Sequence, residues 1–556
     1  MQLLREVAER EQHGTRARPR PAGWRDDIAA GVVLALILTV PLLMIRIPFL
    51  VDYPNHLARM HVLATGAGTP ALHAIFRVAW AFIPNISMDV VVPLLAQVMP
   101  LSVAGRIFIA LAILLPPLGV VMLHRAWFGT RFWWPWIAVL TGAGAFLVFG
   151  FMNYLTGLGL ALMAAAWHAR LGTVPRPRDV LIAIVWGVVC LLAHMFAFGL
   201  LVLLMVSNEV GRRRSDRLLA RALPIVGAAV VPVALYVAFG PRKSYATGSA
   251  LGGALHDTLV WGLLAEPIKR IEWLLGPFTG QGLPLGIAAA ALVVLPIAWA
   301  AWQGRLRVAA QMPFAFACLV LAYLLLPGQV LDTAMVFERL IVPVALVGIA
   351  GVLPRLPVRW GHVLAGATVA LIVVRSGAMA MLWHSQAKLL AEVEHVIAHI
   401  PPGARVVAVR DGHAPYTVDP DEPASHRILR RTQAYMHVPA LVTLERDAFY
   451  PLIFSSPTKY PIALRPQYEK EAQDFGYLPL TSQLAAAADV PHPPGRCGVL
   501  ADELPCMLWS WPTRYDYLLR LNAHDTPPPD AAHLREVARD GWAVLYRVQQ
   551  AGGGGA

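Results

Sequence analysis

Between positions 52 and 59 the chain reads Asp-Tyr-Pro-Asn-His-Leu-Ala-Arg. This stretch directly follows the first long apolar run, residues 28–50, and a bilayer crossing needs about 20 apolar residues. A carboxylate, an imidazole and a guanidinium therefore gather where the chain first leaves the membrane. Pro54 suits the first turn of a helix, where its missing N–H costs nothing. A helix from about Pro54 to Ala64 puts Asp52, His56 and Arg59 at i, i+4 and i+7, on one side. The positive end of that helix favours an ionised Asp52. Such a carboxylate could take the proton of an incoming hydroxyl and make it a better nucleophile. The Arg59 guanidinium has the geometry to hold a phosphate, and His56 could orient the carboxylate or bind substrate. Each also has a plain structural reading: an Asp before a Pro-started helix is a common cap, and His or Arg at an interface often snorkels.

Other charged groups recur at the same expected membrane face. Glu338 and Arg339 stand at the outer end of an apolar run, where charges are expensive and usually paired or functional. Arg242 and Lys243 open a second outer segment, and Lys269 and Arg270 lie near its end. These cations suit a lipid phosphate, or simply a solvated interfacial face. His194 falls between two apolar runs, as a cavity-lining group or a turn histidine. Arg375, deeper in the last run, needs a partner, for which Asp332 or Glu338 would serve. No HExxH and no paired CxxC occurs, so no metal site is expected and no cofactor is identified. A divalent ion shared with a phosphate stays compatible with the sequence.

The elements that position these groups follow from composition. The 556 residues are 57% hydrophobic and 14% charged, with a mean hydropathy of +0.56, which is the signature of a polytopic α-helical membrane protein. About eleven spans are expected, at 28–50, 103–124, 132–149, 152–168, 180–193, 195–209, 222–239, 283–302, 309–327, 338–353 and 361–382. Arginines occupy every alternate loop: 125 and 131; 170, 176 and 178; 212–214, 217 and 221; 305 and 307; 355 and 359. That pattern follows the positive-inside rule and sets the N-terminus in the cytoplasm. The net charge of +12 is thereby explained without nucleic acid, since no basic cluster is interleaved with aromatic residues.

Three regions follow: a basic cytoplasmic tail (1–26), a transmembrane domain (27–384) with outer loops 50–102 and 240–282, and a C-terminal α/β domain (385–556). Within the first loop, Met88 to Met99 is too short to span and reads as an interfacial or re-entrant helix. In the C-terminal region a helix is expected at 387–399 and another at 531–539. Strands are expected at 405–409, 515–519 and 542–547. Its aromatic residues, among them Tyr435, Phe449, Tyr450, Phe454, Tyr460, Trp509, Trp511, Tyr515 and Trp542, suit core packing first and sugar rings second. Cys497 and Cys506 are a feasible disulfide on the outer side. Cys190 and Cys318 fall inside apolar runs.

An acidic residue just after the first span, followed by an interfacial helix, resembles the GT-C superfamily of integral-membrane glycosyltransferases. That resemblance implies an inner-membrane enzyme with a periplasmic C-terminal domain and a polyprenyl-phosphate-linked sugar donor. It implies Asp52 as general base, although Tyr53 stands where some members carry a second acid. It also implies a donor-phosphate contact for Arg339. The acceptor, a glycan, lipid or protein, stays open, as does the sugar. The alternative is a lipid or solute transporter or a non-catalytic envelope assembly protein; transporters usually show related halves and interrupted midplane helices, and neither is evident in the sequence.

Overall fold

The structure, a computed structural model, describes residues 31–549 apart from 32, 35, 67, 130–131, 173, 213–217, 242–266, 331–332, 414–426, 429–431, 470, 473–476, 492–503 and 524–526. The basic tail, Arg242, Lys243, Asp332 and Cys497 lie outside the described residues. Cys506 is disulfide-bonded, and Cys190 and Cys318 are free.

The first apolar run does not stay helical to Leu50. It tightens into a 3-10 turn at Val40–Leu43, where Pro41 withholds a backbone N–H. The chain then enters α1 (Tyr53–Ala64), α2 (Pro70–Ile75) and α3 (Ser87–Leu95). Asn153 holds the start of α3: its Oδ1 accepts from the Ser87 hydroxyl at 2.7 Å and the Met88 N–H at 2.8 Å. Its amide nitrogen donates to the Asn85 carbonyl at 2.7 Å. Met88, Asp89 and Val92 of α3 are buried, while Val90 and Leu94 face outward. That two-sided character is what the Met88–Met99 stretch leads one to expect of a helix lying at an interface.

The membrane region continues through α4 (Leu101–Phe128), the one-turn α5 (Ala145–Val148), α6 (Met152–Ala169), α7 (Pro177–Ala193), α8 (Met195–Arg212) and α9 (Leu218–Phe239). After these come α10 (Pro267–Trp273), α11 (Leu283–Trp302), α12 (Met312–Leu325), α13 (Val336–Gly351) and α14 (Val358–Ile397). Among the described residues, five helices are long and apolar enough to cross a membrane: α4, α8, α9, α11 and α14.

Two expectations need correction. Residues 132–149 are not one span: a 3-10 helix at Trp134–Thr141 stops at Gly142, and α5 follows. The break admits a second backbone segment at very close range. A Cβ on Gly144 would lie 2.3 Å from the Pro277 carbonyl, and one on Gly280 would lie 2.1 Å from that of Ala143. Arg375 of α14 fills the gap electrostatically. It donates to the carbonyls of Leu140 (2.6 Å), Ala143 (3.0 Å) and Phe278 (2.8 Å) and to Gln281 Oε1 (2.7 Å). It therefore serves carbonyls that an unbroken helix would satisfy internally, and does not pair with Glu338. The second correction concerns α14, which joins the expected 361–382 span and the 387–399 helix into one rod of 40 residues. At about 1.5 Å per residue that is about 60 Å, twice the hydrocarbon thickness of about 30 Å.

The far half of α14 carries the C-terminal region. Leu390, Val393 and Val396 are buried, and the Trp542 indole donates to the Leu389 carbonyl at 3.0 Å. With β1 at Phe76–Val78, the strands are β2 (Val406–Arg410), β3 (Ile462–Leu464), β4 (Tyr517–Leu521), β5 (Leu534–Asp540) and β6 (Ala543–Val548). Four form a mixed sheet in the order β5-β6-β4-β2. β2 and β4 run parallel, with Leu518 opposite Val407; β4 and β6 run antiparallel. The expected helix at 531–539 is strand β5. Leu534 pairs with Val548 and Asp540 with Ala543, and Gly541 at φ +48° makes the turn that an L side chain resists. β1 pairs antiparallel with β3, Phe76 opposite Leu464 and Val78 opposite Ile462, so the first outer segment is stitched to the C-terminal region.

α1 and α3 are locked by one ion pair. Arg59 Nε lies 2.6 Å from Asp89 Oδ1 and Nη2 lies 3.1 Å from Oδ2, with neither side chain exposed. Removing one member of such a pair leaves an uncompensated buried charge, at a cost of about 3–5 kcal/mol. Asp89→Asn should therefore lower the thermal midpoint of the detergent-solubilised protein clearly; an unchanged midpoint would show the pair to be unimportant.

Candidate functional site

Asp52 stands immediately before α1. Its own φ of −83° and ψ of −14° are helical, and its side chain makes no capping hydrogen bond, because a capping residue normally needs an extended backbone to fold its oxygen back. The carboxylate is thus left available. The backbone is pinned instead: the Val51 N–H donates to Val148 at 3.0 Å and the Asp52 N–H to Phe149 at 3.1 Å. Gly150, at φ +89°, lies so close that a Cβ there would be 3.0 Å from both the Asp52 Cβ and its nitrogen. The broken segment before α6 therefore forms the seat for Asp52.

The surroundings are largely dry. The Asp52 side chain keeps 22% of its exposure, so the carboxyl is mostly enclosed. Burial raises its pKa to about 7, against the opposing pull of the Arg339 and Arg59 guanidiniums. The helix end was expected to favour the ionised form; burial works against that, and it outweighs the two guanidiniums. A carboxyl poised near neutrality has the matching expected of a general base.

His56 and Arg59 project from the same helix. Arg59 Nη2 donates to His56 Nδ1 at 3.0 Å, so the His56 proton resides on Nε2. Burial first, then Arg59 and His437, hold the His56 pKa well below its usual value, and the ring is neutral. Arg59 itself is fully buried against Asp89, with its Cζ 4.4 Å from the centroid of the Tyr460 ring. It acts in the framework behind the site and is not open to a ligand phosphate as the sequence suggested.

Arg339 and His194 meet across the helices. The Arg339 Cζ lies 4.6 Å from the Phe151 ring centroid and 5.7 Å from that of Phe196. Its Nε has no hydrogen-bond partner among the described residues. The Tyr154 hydroxyl donates to the Arg339 carbonyl, and the Tyr154 and His194 rings lie 5.3 Å apart. The Phe196 N–H donates to His194 Nδ1 at 3.2 Å. Arg339 does not turn to Glu338, whose carboxylate lies 2.9 Å from Lys269 Nζ. Arg270 is buried and committed: it donates to the carbonyls of Tyr323 and, at 2.8 Å, of Leu326. It anchors α10 to the end of α12 and is not a free cation of the second outer loop.

Several residues at the site carry no local sequence signal. The C-terminal region supplies His437, whose Nε2 lies 3.6 Å from Asp52 Oδ1. Asn55 ties that region to α1: its Oδ1 accepts from the Phe454 N–H at 2.8 Å, and its amide donates to Leu452 O at 2.7 Å. The same amide nitrogen lies 3.2 Å from His437 Nδ1. Phe454 packs edge-on to both His437 (5.0 Å) and His56 (5.4 Å) and stacks with Tyr460 at 5.3 Å. Only the Asn55–His56 adjacency could have hinted at this, since the partners lie far along the chain.

No family model matches the chain, and no curated protein matches it. Among solved structures, ArnT from Cupriavidus metallidurans in the apo state aligns over 94% of this chain and 98% of its own, with a TM-score of 0.50 and 13% identity. The chain shares the ArnT fold. The likeness is one of fold, and it runs over nearly the whole of both chains. The crystal structure of ArnT bound to undecaprenyl phosphate also aligns, over 93% of this chain and 97% of its own, with a TM-score of 0.47 and 12% identity.

The state of Asp52 is directly measurable. Dicyclohexylcarbodiimide enters apolar surroundings and reacts with the protonated carboxyl. Peptide mass spectrometry should show Asp52 labelling falling to half near pH 7, whereas an ordinary carboxyl titrates near about 4. Loss of labelling by pH 5 would contradict the dry site.

Proposed function

We propose that the protein is a membrane glycosyltransferase moving a sugar from a polyprenyl-phosphate-linked donor to an acceptor hydroxyl at the outer leaflet. The observation that carries this reading is the Asp52 carboxyl, left uncapped at the head of α1 and mostly buried, with the Arg339 guanidinium near enough to oppose the effect of that burial. The shared ArnT fold supports it at the level of architecture, where fold alone assigns no chemistry.

In this reading Asp52 removes the proton of the acceptor hydroxyl as its oxygen attacks the anomeric carbon. The bond from that carbon to the lipid phosphate breaks, and the electron pair leaves on the phosphate. Displacement in one step inverts the anomeric centre. Arg339, with an unused N–H and aromatic faces on two sides, meets the developing phosphate charge. Lys269 is held by Glu338, the neighbour of Arg339 in sequence. His56, His194 and Tyr154 line the site as neutral, orienting groups. We place the N-terminus in the cytoplasm and the C-terminal region in the periplasm, as the arginine-bearing loops require. Asp52 then faces the outer leaflet of a bacterial inner membrane, and the acceptor is any glycan, lipid or protein hydroxyl that reaches it there.

Mass spectrometry of lipid-linked sugars and envelope glycans, in cells lacking the protein and complemented with variants, tests the proposal. Asp52→Asn should abolish the sugar modification that the wild type restores, with the variant still present in membranes at wild-type amount. Arg339→Gln should cut transfer by about 100-fold, the typical cost of one removed transition-state donor. Full complementation by Asp52→Asn would end the assignment of Asp52.

A further inference from the structure

Asn55 determines which nitrogen of His437 carries its proton. A backbone N–H can only donate, so the Phe454 N–H fixes the Asn55 oxygen, and with it the amide nitrogen, in place. That nitrogen faces the Leu452 carbonyl at 2.7 Å and His437 Nδ1 at 3.2 Å. It donates to both, which makes His437 Nδ1 an acceptor. Burial holds the His437 pKa at about 4, so the ring is neutral and its single proton sits on Nε2. Nε2 is the atom aimed at Asp52 Oδ1, 3.6 Å away. The ring cannot easily turn aside, because Phe454 lies against it at 5.0 Å and the residue is 5% exposed.

We propose that His437 is a positioning residue for Asp52, its Nε2–H donating to Oδ1 and leaving Oδ2 to receive the acceptor's proton. The inference rests on the reading of Asp52 as base and adds the C-terminal region as a contributor to the site. At 3.6 Å the contact is longer than an ideal hydrogen bond, and the N–H dipole acts on the carboxylate across that distance in the resting protein. The other groups facing Asp52 are His56 and Arg59 from α1 and Arg339 from α13. His56 has its Nδ1 engaged by Arg59, and Arg59 is locked to Asp89. Among the described residues, neither makes a hydrogen bond to the Asp52 carboxylate. β1–β3 pairing and the Asn55 bridge hold the two regions in register, so the donor arrives with the C-terminal region as a preset part.

A donor to the ionised form lowers the carboxyl pKa; its removal raises it. The test is the pH dependence of dicyclohexylcarbodiimide labelling at Asp52 in the full chain, reconstituted in phospholipid nanodiscs. His437→Leu and His437→Asn are near-isosteric and differ in an N–H donor, as are His437→Met and His437→Gln; either pair that stays monodisperse serves. The apolar member should move the labelling midpoint up by about one pH unit, and the amide member should restore most of it. An unchanged or lowered midpoint in the apolar member, or no difference within the pair, would overturn the proposal. Labelling reads ionisation and not transfer, so this failure is distinct from that of the transferase reading, which Asp52→Asn tests separately.

Discussion

The site depends on keeping one carboxyl nearly dry while leaving it unbonded. A capping Asp would accept the N–H groups at the helix start and be held there. Here the helical backbone angles at Asp52 prevent that use, and the hydrogen bonds to Val148 and Phe149 carry the local backbone instead. The cost of desolvation appears as a carboxyl that titrates near neutrality. Everything around it serves to preserve this condition. The Gly150 seat brings a second backbone into contact, the Phe151, Phe196 and Phe454 rings exclude water, and Arg339 supplies charge without closing an ion pair.

A second theme is that irregular backbone in the membrane region is tolerated only where something satisfies it. The break at residues 142–144 exposes carbonyls, and Arg375 answers them from α14. The same break lets the chain before α6 approach Asp52. A buried cation for which the sequence asked a partner is therefore the structural support for the segment that seats the base. Arg59 and Arg270 follow the same logic: both are buried, and both serve neighbouring elements.

Local pattern carried a good deal of this. Asp52, Pro54 and the apolar spacing beyond them foretold α1 to within a residue, because a Pro-initiated helix is specified by near neighbours. Most apolar runs are helices close to their expected bounds. What was not legible depended on distance. His437 lies 382 positions from Asn55, and no periodicity connects them. The Arg59–Asp89 pair needs the packing of α3 on α1. Strand β5, expected as a helix, is set by its pairing with β6 across the turn at Gly541, and Glu536 and Arg539 stand three apart in it. In the strand the same two side chains bond across a bulge, at 2.8 Å. The end of α14 was missed because polar residues after His384 mark exit from lipid, and a helix need not stop there.

The account is tested most directly by the pH dependence of transfer at saturating substrate. A base with a pKa near 7 is inactive when protonated. Transfer should therefore rise about tenfold per pH unit below that value and level off above it. A rate that stays flat from pH 5.5 to 8 would contradict it.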